Sequence, residues 1–261
     1  MIIDLTILKL SEKVNEYIEY VEEEIKETGF IVLINDFKGD GTGAKVTLDR
    51  KNKLIFVEIN EEKYKNESEN EIDCIIAHEV THELFSLKKG YCRMETSENS
   101  SELDVKSELL GTIIEDIVVD NYIQEKDFSS NYEFYINDTV DSINFIKAQK
   151  DKNIFDVGKN DIIFKKLVAQ YILAWNYFIY SKSDKIDKKT ILRFLNTVKK
   201  YCLKEYEEAE KITSMITKND IFNSKGFNKT IKECLELWNL TDRVRIYTVK
   251  NENGNIKYVY I

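Results

Sequence analysis

Apolar and acidic residues alternate with a helical period in residues 11–28 of the chain. Five apolar residues there are three or four positions apart and share one side of a helix: Val14, Tyr17, Ile18, Val21 and Ile25. Gly29 follows, at a position where glycine commonly ends a helix. The pattern therefore predicts an amphipathic first helix that ends at Gly29.

Short apolar runs in the following segment predict β-strands. Residues 30–34 form a continuous apolar run, which is typical of a buried strand. Residues 45–49 and 54–60 predict two further strands joined by the polar turn 50–53. Residues 36–43 hold three of the nine glycines but lack the Gly-Lys-Ser/Thr ending of a phosphate loop, so we expect a flexible loop.

A second helix is predicted after these strands. Ser68 and Glu71 have the spacing of a capping box, in which each side chain binds a backbone N–H of the other residue. The helix should run to about residues 88–89, and Gly90 is placed to stop it. The predicted order of the first part is therefore helix, three strands, helix.

From about residue 101 onward, helical patterns dominate. They predict helices at residues 101–124, 136–149, 162–180, 188–215 and 229–240, followed by a β-hairpin at 243–250 and 256–261. The absence of proline and the scarcity of glycine suit such a fold, because few turns need special backbone angles. The fold class is thus α+β and mainly helical, with a first part at 1–125 and a helical part at 126–261 that ends in the hairpin.

Charge and composition narrow the function classes. The net charge is −9 and the charge runs have mixed signs, so no basic face for nucleic acid is expected. The most apolar segment, residues 168–180, is too short to span a bilayer comfortably, and two polar residues interrupt it. Four cysteines without a CxxC pair favour reduced thiols. A cytoplasmic protein without a membrane partner is expected.

The two histidines of the chain are only four residues apart, in the sequence His78-Glu79-Val80-Thr81-His82. On a helix such residues lie about 40° apart around the axis and one turn apart along it, so both imidazoles can reach one zinc ion. Glu79 is rotated by about 100° from His78, which places its carboxylate beside the ion. There it can take a proton from a water molecule whose pKa the ion lowers. These residues point to hydrolytic chemistry.

The HExxH motif, within residues 30–125, resembles that of the zincin superfamily of metallopeptidases. The resemblance implies a β-sheet before the motif helix, with an edge strand that holds an extended peptide substrate beside one zinc ion. The strands near residues 45–60 have the corresponding place in the order. A zincin-like first part and a zinc-dependent metallopeptidase, with His78 and His82 as ligands and Glu79 as general base, are therefore expected.

The third ligand must be something other than histidine, and zincins of the gluzincin type use an acidic residue on a following helix. Glu115 lies 115 − 82 = 33 residues after the second histidine, on a largely apolar helical face. A carboxylate buried there needs a cation, which zinc would supply. We therefore expect Glu115 to be the third ligand.

Two alternatives to Glu115 stay open. Gluzincins often have an aspartate four residues after the ligand, where this chain has Val119. A shifted assignment makes Asp116 the ligand and Asp120 the residue that orients a histidine, on a more polar face. Glu108 is a third option.

Further residues near the motif allow other roles. Tyr91 and Tyr122 are candidates for stabilising the oxyanion of a transition state, although packing roles are favoured for both. Cys74, one turn before His78, fits a buried structural thiol better than a ligand.

A peptide or protein is the expected substrate. The alternatives are a structural metal in a protein-binding or regulatory module, and hydrolysis of a small amide.

Overall fold

The computed structural model describes residues 2–38, 43–96, 101–129, 132–149, 161–182, 186–252 and 255–261. The described chain is α+β with 61% helix. The strands are β1 (Ile2–Asp4), β2 (Ile31–Asp36), β3 (Ala44–Asp49), β4 (Leu54–Ile59), β5 (Arg93–Thr96), β6 (Val244–Glu252) and β7 (Asn255–Tyr260). The helices are α1 (Glu12–Ile25), α2 (Glu61–Tyr64), α3 (Glu69–Leu87), α4 (Ser101–Gln124), α5 (Tyr132–Gln149), α6 (Ile162–Tyr180), α7 (Lys188–Tyr201), α8 (Leu203–Asn219) and α9 (Ser224–Leu237).

The chain divides into two compact units, each assembled from separate segments. The first unit comprises Met1–Arg93, Tyr122–Asn131 and Tyr247–Ile261, and the second comprises Met94–Asn121 and Tyr132–Ile246. The division at residue 121 falls inside α4, and the division at residue 246 falls inside β6. The first unit thus contains the four-stranded sheet, α1, α2, α3 and most of the terminal hairpin, whereas the second is mostly helical.

A four-stranded sheet of order β1-β2-β4-β3 forms the centre of the first unit. β1 and β4 run parallel to β2, whereas β3 is antiparallel to β4 and forms one edge. Alternating residues of the two inner strands are fully buried on one face: Val32, Ile34, Ile55, Val57 and Ile59. The three predicted strands are confirmed. The short edge strand β1 was not predicted, because its three side chains are all exposed and show no alternation.

The first helix confirms the amphipathic pattern. Ser11 is its N-cap and accepts a hydrogen bond from the Val14 N–H. The five apolar residues that share one face are the buried residues of α1. After a short 3-10 turn, Lys26–Thr28, Gly29 adopts the left-handed conformation at φ 74°, which glycine reaches without the cost of a side chain. The α1 pattern thus predicted both its buried face and its stop.

The second unit corrects one predicted helix. Residues 188–215 were predicted as a single helix, but Cys202 (φ −129°, ψ 61°) separates α7 from α8. Residues that favour helix stand on both sides of this break, and no glycine or proline marks it. The predicted helices at 101–124 and 162–180 agree with α4 and α6, and α5 and α9 begin four and five residues before the predicted starts.

The core of the second unit combines large aromatic rings with one buried ion pair. Phe164, Phe194 and Phe227 are almost completely buried. Lys165 forms an ion pair with Glu208, and its Nζ lies 4.5 Å from the centre of the Trp238 ring. The pair satisfies two charges that would otherwise be costly to bury.

The chain ends in the predicted hairpin strands, with β6 antiparallel to β7. They belong to a three-stranded sheet of order β5-β6-β7. Residues 253–254 of the predicted hairpin turn and residues 39–42 of the predicted glycine loop lie outside the described residues. All four cysteines are buried thiols that form no disulfide. Within the described ranges, none of the helices is both long and apolar enough to cross a membrane.

Candidate metal centre

Helix α3 carries the histidine motif and is buried on nearly all of its sides. Its start is fixed by the predicted capping box, since Glu71 accepts hydrogen bonds from both the N–H and the hydroxyl of Ser68 at 2.7 Å. Of its 19 residues, 14 are buried, including Asp73, His78 and Glu83. Charged or polar side chains are costly to bury without partners. The polar residues of α3 are therefore informative about what the helix does.

The two histidines converge as their spacing predicts. His78 is 4% exposed and His82 is half-buried. Their Nε2 atoms are 3.1 Å apart, and the ring planes are inclined at 77°. The two nitrogen atoms that most often bind metal thus face one small region of space.

One acidic residue joins the histidines. His78, His82 and Asp116 form a group whose ligand atoms all lie within 4.8 Å of one another. Glu115, the expected third ligand, is half-buried and does not belong to this group. Glu108 is exposed and does not belong to it either. The acidic residue that the structure brings to the histidines is therefore the alternative, Asp116.

The final turn of α4 packs against α3. The Tyr122 ring lies 5.3 Å from the Phe85 ring, edge to face, and the Tyr122 hydroxyl is 3.0 Å from that of Tyr20 in α1. Asp116 lies six residues, or about 9 Å, before Tyr122 along the same helix. Asp120, one turn after Asp116, is fully buried, whereas Asp116 is half-buried.

The donor set suits zinc. Zinc in proteins binds imidazole and carboxylate groups at about 2.0–2.2 Å, so two ligands of a tetrahedral ion lie about 3.3 Å apart. The 3.1 Å between the two Nε2 atoms is close to that separation. Two imidazoles and one carboxylate also leave the fourth position that a catalytic zinc site needs. The residues present could therefore hold one metal ion.

Tyr64 is a residue beside the motif that the sequence analysis did not select. It ends α2, and its hydroxyl lies against Gly43, where an added Cβ would be only 1.8 Å from that oxygen. Burial, and then the negative charge of Glu79, raise the pKa of the Tyr64 hydroxyl. Only a glycine at residue 43 leaves room for this hydroxyl. No short motif signals the arrangement, because it depends on the packing of β3, α2 and α3.

The other candidates from the sequence have packing roles. Tyr91 is 5% exposed and stacks on Phe85, with ring centres 4.7 Å apart. Tyr122 belongs to the aromatic contact between α4 and α3. Cys74 directs its thiol to the carbonyl of Ser129 at 3.0 Å. Cys74 is also outside the group formed by the histidines and Asp116.

Hydrogen bonds hold the remaining sides of α3. The Tyr17 hydroxyl of α1 is 2.6 Å from that of Thr81, which in turn donates to the Ala77 carbonyl at 2.6 Å. Asp73 accepts hydrogen bonds from the N–H and hydroxyl of Ser11. These contacts join α1 to the motif helix and restrain the rotation of α3, which sets the direction of both imidazoles.

The fully buried Glu83, one residue after the motif, has a cationic partner. Its carboxylate forms an ion pair with Arg93, whose side chain is 19% exposed. The pair fixes the start of β5 to the second half of α3.

Comparisons of the chain with family models, with curated proteins and with solved structures found no match.

Proposed function

We propose that this chain is a zinc-dependent metallopeptidase in which His78, His82 and Asp116 hold one zinc ion. The observation that carries the proposal is that the ligand atoms of His78 and His82 of α3 and of Asp116 of α4 lie within 4.8 Å of one another. The resemblance of the HExxH motif to that of the zincins supports the same assignment. In this proposal Asp116 takes the place that we expected for Glu115.

The chemistry of the proposal depends on Glu79. A zinc ion bound by the two histidines and Asp116 would supply a Lewis acid at this position. Glu79 is half-buried and follows His78 directly, so its carboxylate lies beside the metal ligands without being one of them. We assign it the role of general base, which accepts a proton from the attacking water and passes it to the leaving amine.

Tyr64 is the best placed residue to assist Glu79. Its hydroxyl is held against Gly43, and its pKa responds to the Glu79 charge. Because a phenol is protonated at neutral pH, the Tyr64 hydroxyl can donate a hydrogen bond to an oxygen that becomes negatively charged during the reaction. We assign this role to Tyr64 instead of Tyr91 or Tyr122.

The edge strand β3 gives a place for an extended substrate. It is the outermost strand on its side of the sheet, and it packs against α3. A peptide can add to such an edge through main-chain hydrogen bonds. Gly43 comes immediately before β3, so a peptide aligned with this strand would approach Tyr64 and Glu79 at the strand's amino end.

The test combines metal content with peptide cleavage. Zinc is measured in purified protein after dialysis against zinc, and cleavage of a peptide library is followed by mass spectrometry. We expect about one zinc per chain. Glu79→Gln should keep the zinc and lose cleavage by a factor of about 10² to 10⁴.

Glu69→Gln is the matched control, because Glu69 is an exposed carboxylate in the first turn of the same helix. It should keep both zinc and activity. Protein that binds no zinc would overturn the metal site itself. Zinc bound together with equal cleavage by wild type and Glu79→Gln would overturn the peptidase and favour a structural metal in a protein-binding module.

A further inference from the structure

A second cluster of charged residues lies on α7, within the second unit. Lys189, Arg193 and Lys200 are at positions i, i+4 and i+11 of this helix and therefore share one face. The opposite face of α7 is apolar and buried, and it includes Ile191, Phe194, Leu195 and Val198. The cationic face is thus held in a fixed direction by the core beneath it.

This face lines one wall of a groove of about 550 Å³, and Lys147 of α5 lines it as well. Asn196, Thr197 and Tyr201 add polar groups to the same lining. α5 and α7 pack against each other, so the positions of the two helices are fixed by side-chain contacts. The volume lies within the range of small-molecule sites.

The residues that line the groove carry a net positive charge, whereas the whole chain carries a net negative charge. The lining contains four cations and no carboxylate, whereas the net charge of the whole protein is −9. Within the described residues, none of the four cations forms a salt bridge with a neighbour. Asp187 is the carboxylate that interacts with Lys189, and it also caps α7 by accepting from the N–H groups of Lys189 and Thr190.

The helix dipoles stabilise only two of the four cations that line the groove. Lys147 and Lys200 are in the last turns of their helices, where the helix dipole stabilises a cation. Lys189 is in the first turn of α7, where the dipole disfavours one, and the like-charged Arg193 lies one turn later. A bound anion would remove both unfavourable interactions.

We propose that the groove between α5 and α7 binds a small anion with two or more phosphate groups. At neutral pH a phosphate group carries about −1.5 to −2 charges, so two groups match the four cations. Lysine and arginine together supply the charge-assisted hydrogen bonds that phosphate oxygens accept. The proposal is independent of the metal centre.

Inorganic triphosphate is a suitable probe, and isothermal titration calorimetry of the full chain gives its affinity. We expect binding that weakens as salt is raised, because exposed charges are screened. The double variant Lys189→Glu/Arg193→Glu should bind at least about tenfold more weakly, since two charge-assisted hydrogen bonds to the anion are replaced by repulsion. Lys147→Gln, on the other wall, should weaken binding as well.

The matched control is Lys211→Glu/Lys218→Glu, which makes the same charge change on exposed residues of α8. It should bind triphosphate like the wild type. If triphosphate bound to a metal ion instead of the groove, all the variants would bind it equally, and the proposal would be wrong. It would also be wrong if wild type failed to bind triphosphate, or bound only a single-stranded oligonucleotide. Circular dichroism checks that each variant is folded.

Discussion

Helix α3 buries several of its polar residues, whereas helix α7 exposes its lysine and arginine residues. α3 is buried on nearly every side, and its polar residues have specific partners, such as Thr81 with Tyr17 and Glu83 with Arg93. α7 buries one apolar face and presents lysine and arginine on the other. A polar residue buried on α3 destabilises the fold unless a contact compensates for its lost hydration. On the exposed face of α7 a polar residue remains hydrated and needs no such contact.

The metal centre and the groove call for different measurements. In the metal centre the ligand atoms of His78, His82 and Asp116 lie within 4.8 Å of one another, with His78 buried and the other two half-buried. Polar side chains are expected on the exposed face of α7. The informative feature of the groove is that its four charged side chains are all cations. Stability measurements therefore test the first region, and binding measurements test the second.

The largest expected contrast is between two cations, one in each region. Arg93→Met leaves the Glu83 carboxylate buried without this partner, so the free energy of unfolding should fall by about 3 kcal/mol. Lys189→Met on the open face of α7 should raise the free energy of unfolding by less than about 0.5 kcal/mol, because the repulsion between Lys189 and Arg193 is removed. Urea unfolding of both variants measures the difference. Equal effects would contradict the contrast between the two helices.

A smaller effect is expected for the hydrogen bond between α1 and the motif helix. Tyr17→Phe removes a buried hydroxyl that is 2.6 Å from the Thr81 hydroxyl, so the free energy of unfolding should fall by about 1 kcal/mol. Tyr20→Phe, which removes a more exposed hydroxyl on the same helix, is the control and should cost less. A double-mutant cycle with Thr81→Val should show coupling for Tyr17 and none for Tyr20.

The smallest effect concerns Glu205 in the first turn of α8, and it depends on pH. This carboxylate is 2% exposed, one of its oxygens has no hydrogen-bond partner among the described residues, and burial raises its pKa above the ordinary value of 4.5. The folded chain therefore holds the proton more tightly than the unfolded chain. The stabilisation is present below the ordinary pKa and is lost as pH rises through the raised pKa.

Glu205→Gln should consequently be more stable than wild type at neutral pH, by less than about 1 kcal/mol, and equal to it in acid. Urea unfolding at several pH values checks the sign. A difference that stays constant with pH would show that the charge of Glu205 is unimportant. Glu83, which has Arg93 beside it, offers the contrasting case of a buried carboxylate with a cation.

Much of the fold follows from local patterns. The face of α1, the capping box at Ser68 and the β3–β4 pair each depend on residues close together in sequence, and each prediction is confirmed. The break at Cys202 was missed because no glycine or proline marks it in the sequence. β1 was missed because its position depends on pairing with β2 and on the Glu61 carboxylate, which binds the N–H groups of Thr6 and Ile7 at 2.6 Å.

In the candidate metal centre, too, only the arrangement of residues close together in sequence could be predicted. The spacing of His78 and His82 was sufficient to predict that their rings converge, because both are on one helix. Spacing alone does not choose between Glu115 and Asp116 as the third ligand, since adjacent residues differ by about 100° around the helix axis. Tyr64 was missed for the related reason that its proximity to Gly43 and the effect of the Glu79 charge on its pKa arise only through tertiary packing.

Zinc affinity in two neighbouring variants tests the metal centre most directly. Asp116→Asn and Glu115→Gln each convert one half-buried carboxylate of α4 to its amide, and competition with a chelator gives the dissociation constant of zinc. We predict that Asp116→Asn binds zinc more than about tenfold more weakly than wild type, whereas Glu115→Gln binds it like wild type. Loss of affinity in Glu115→Gln with normal affinity in Asp116→Asn, or unchanged affinity in both, would contradict the site formed by His78, His82 and Asp116.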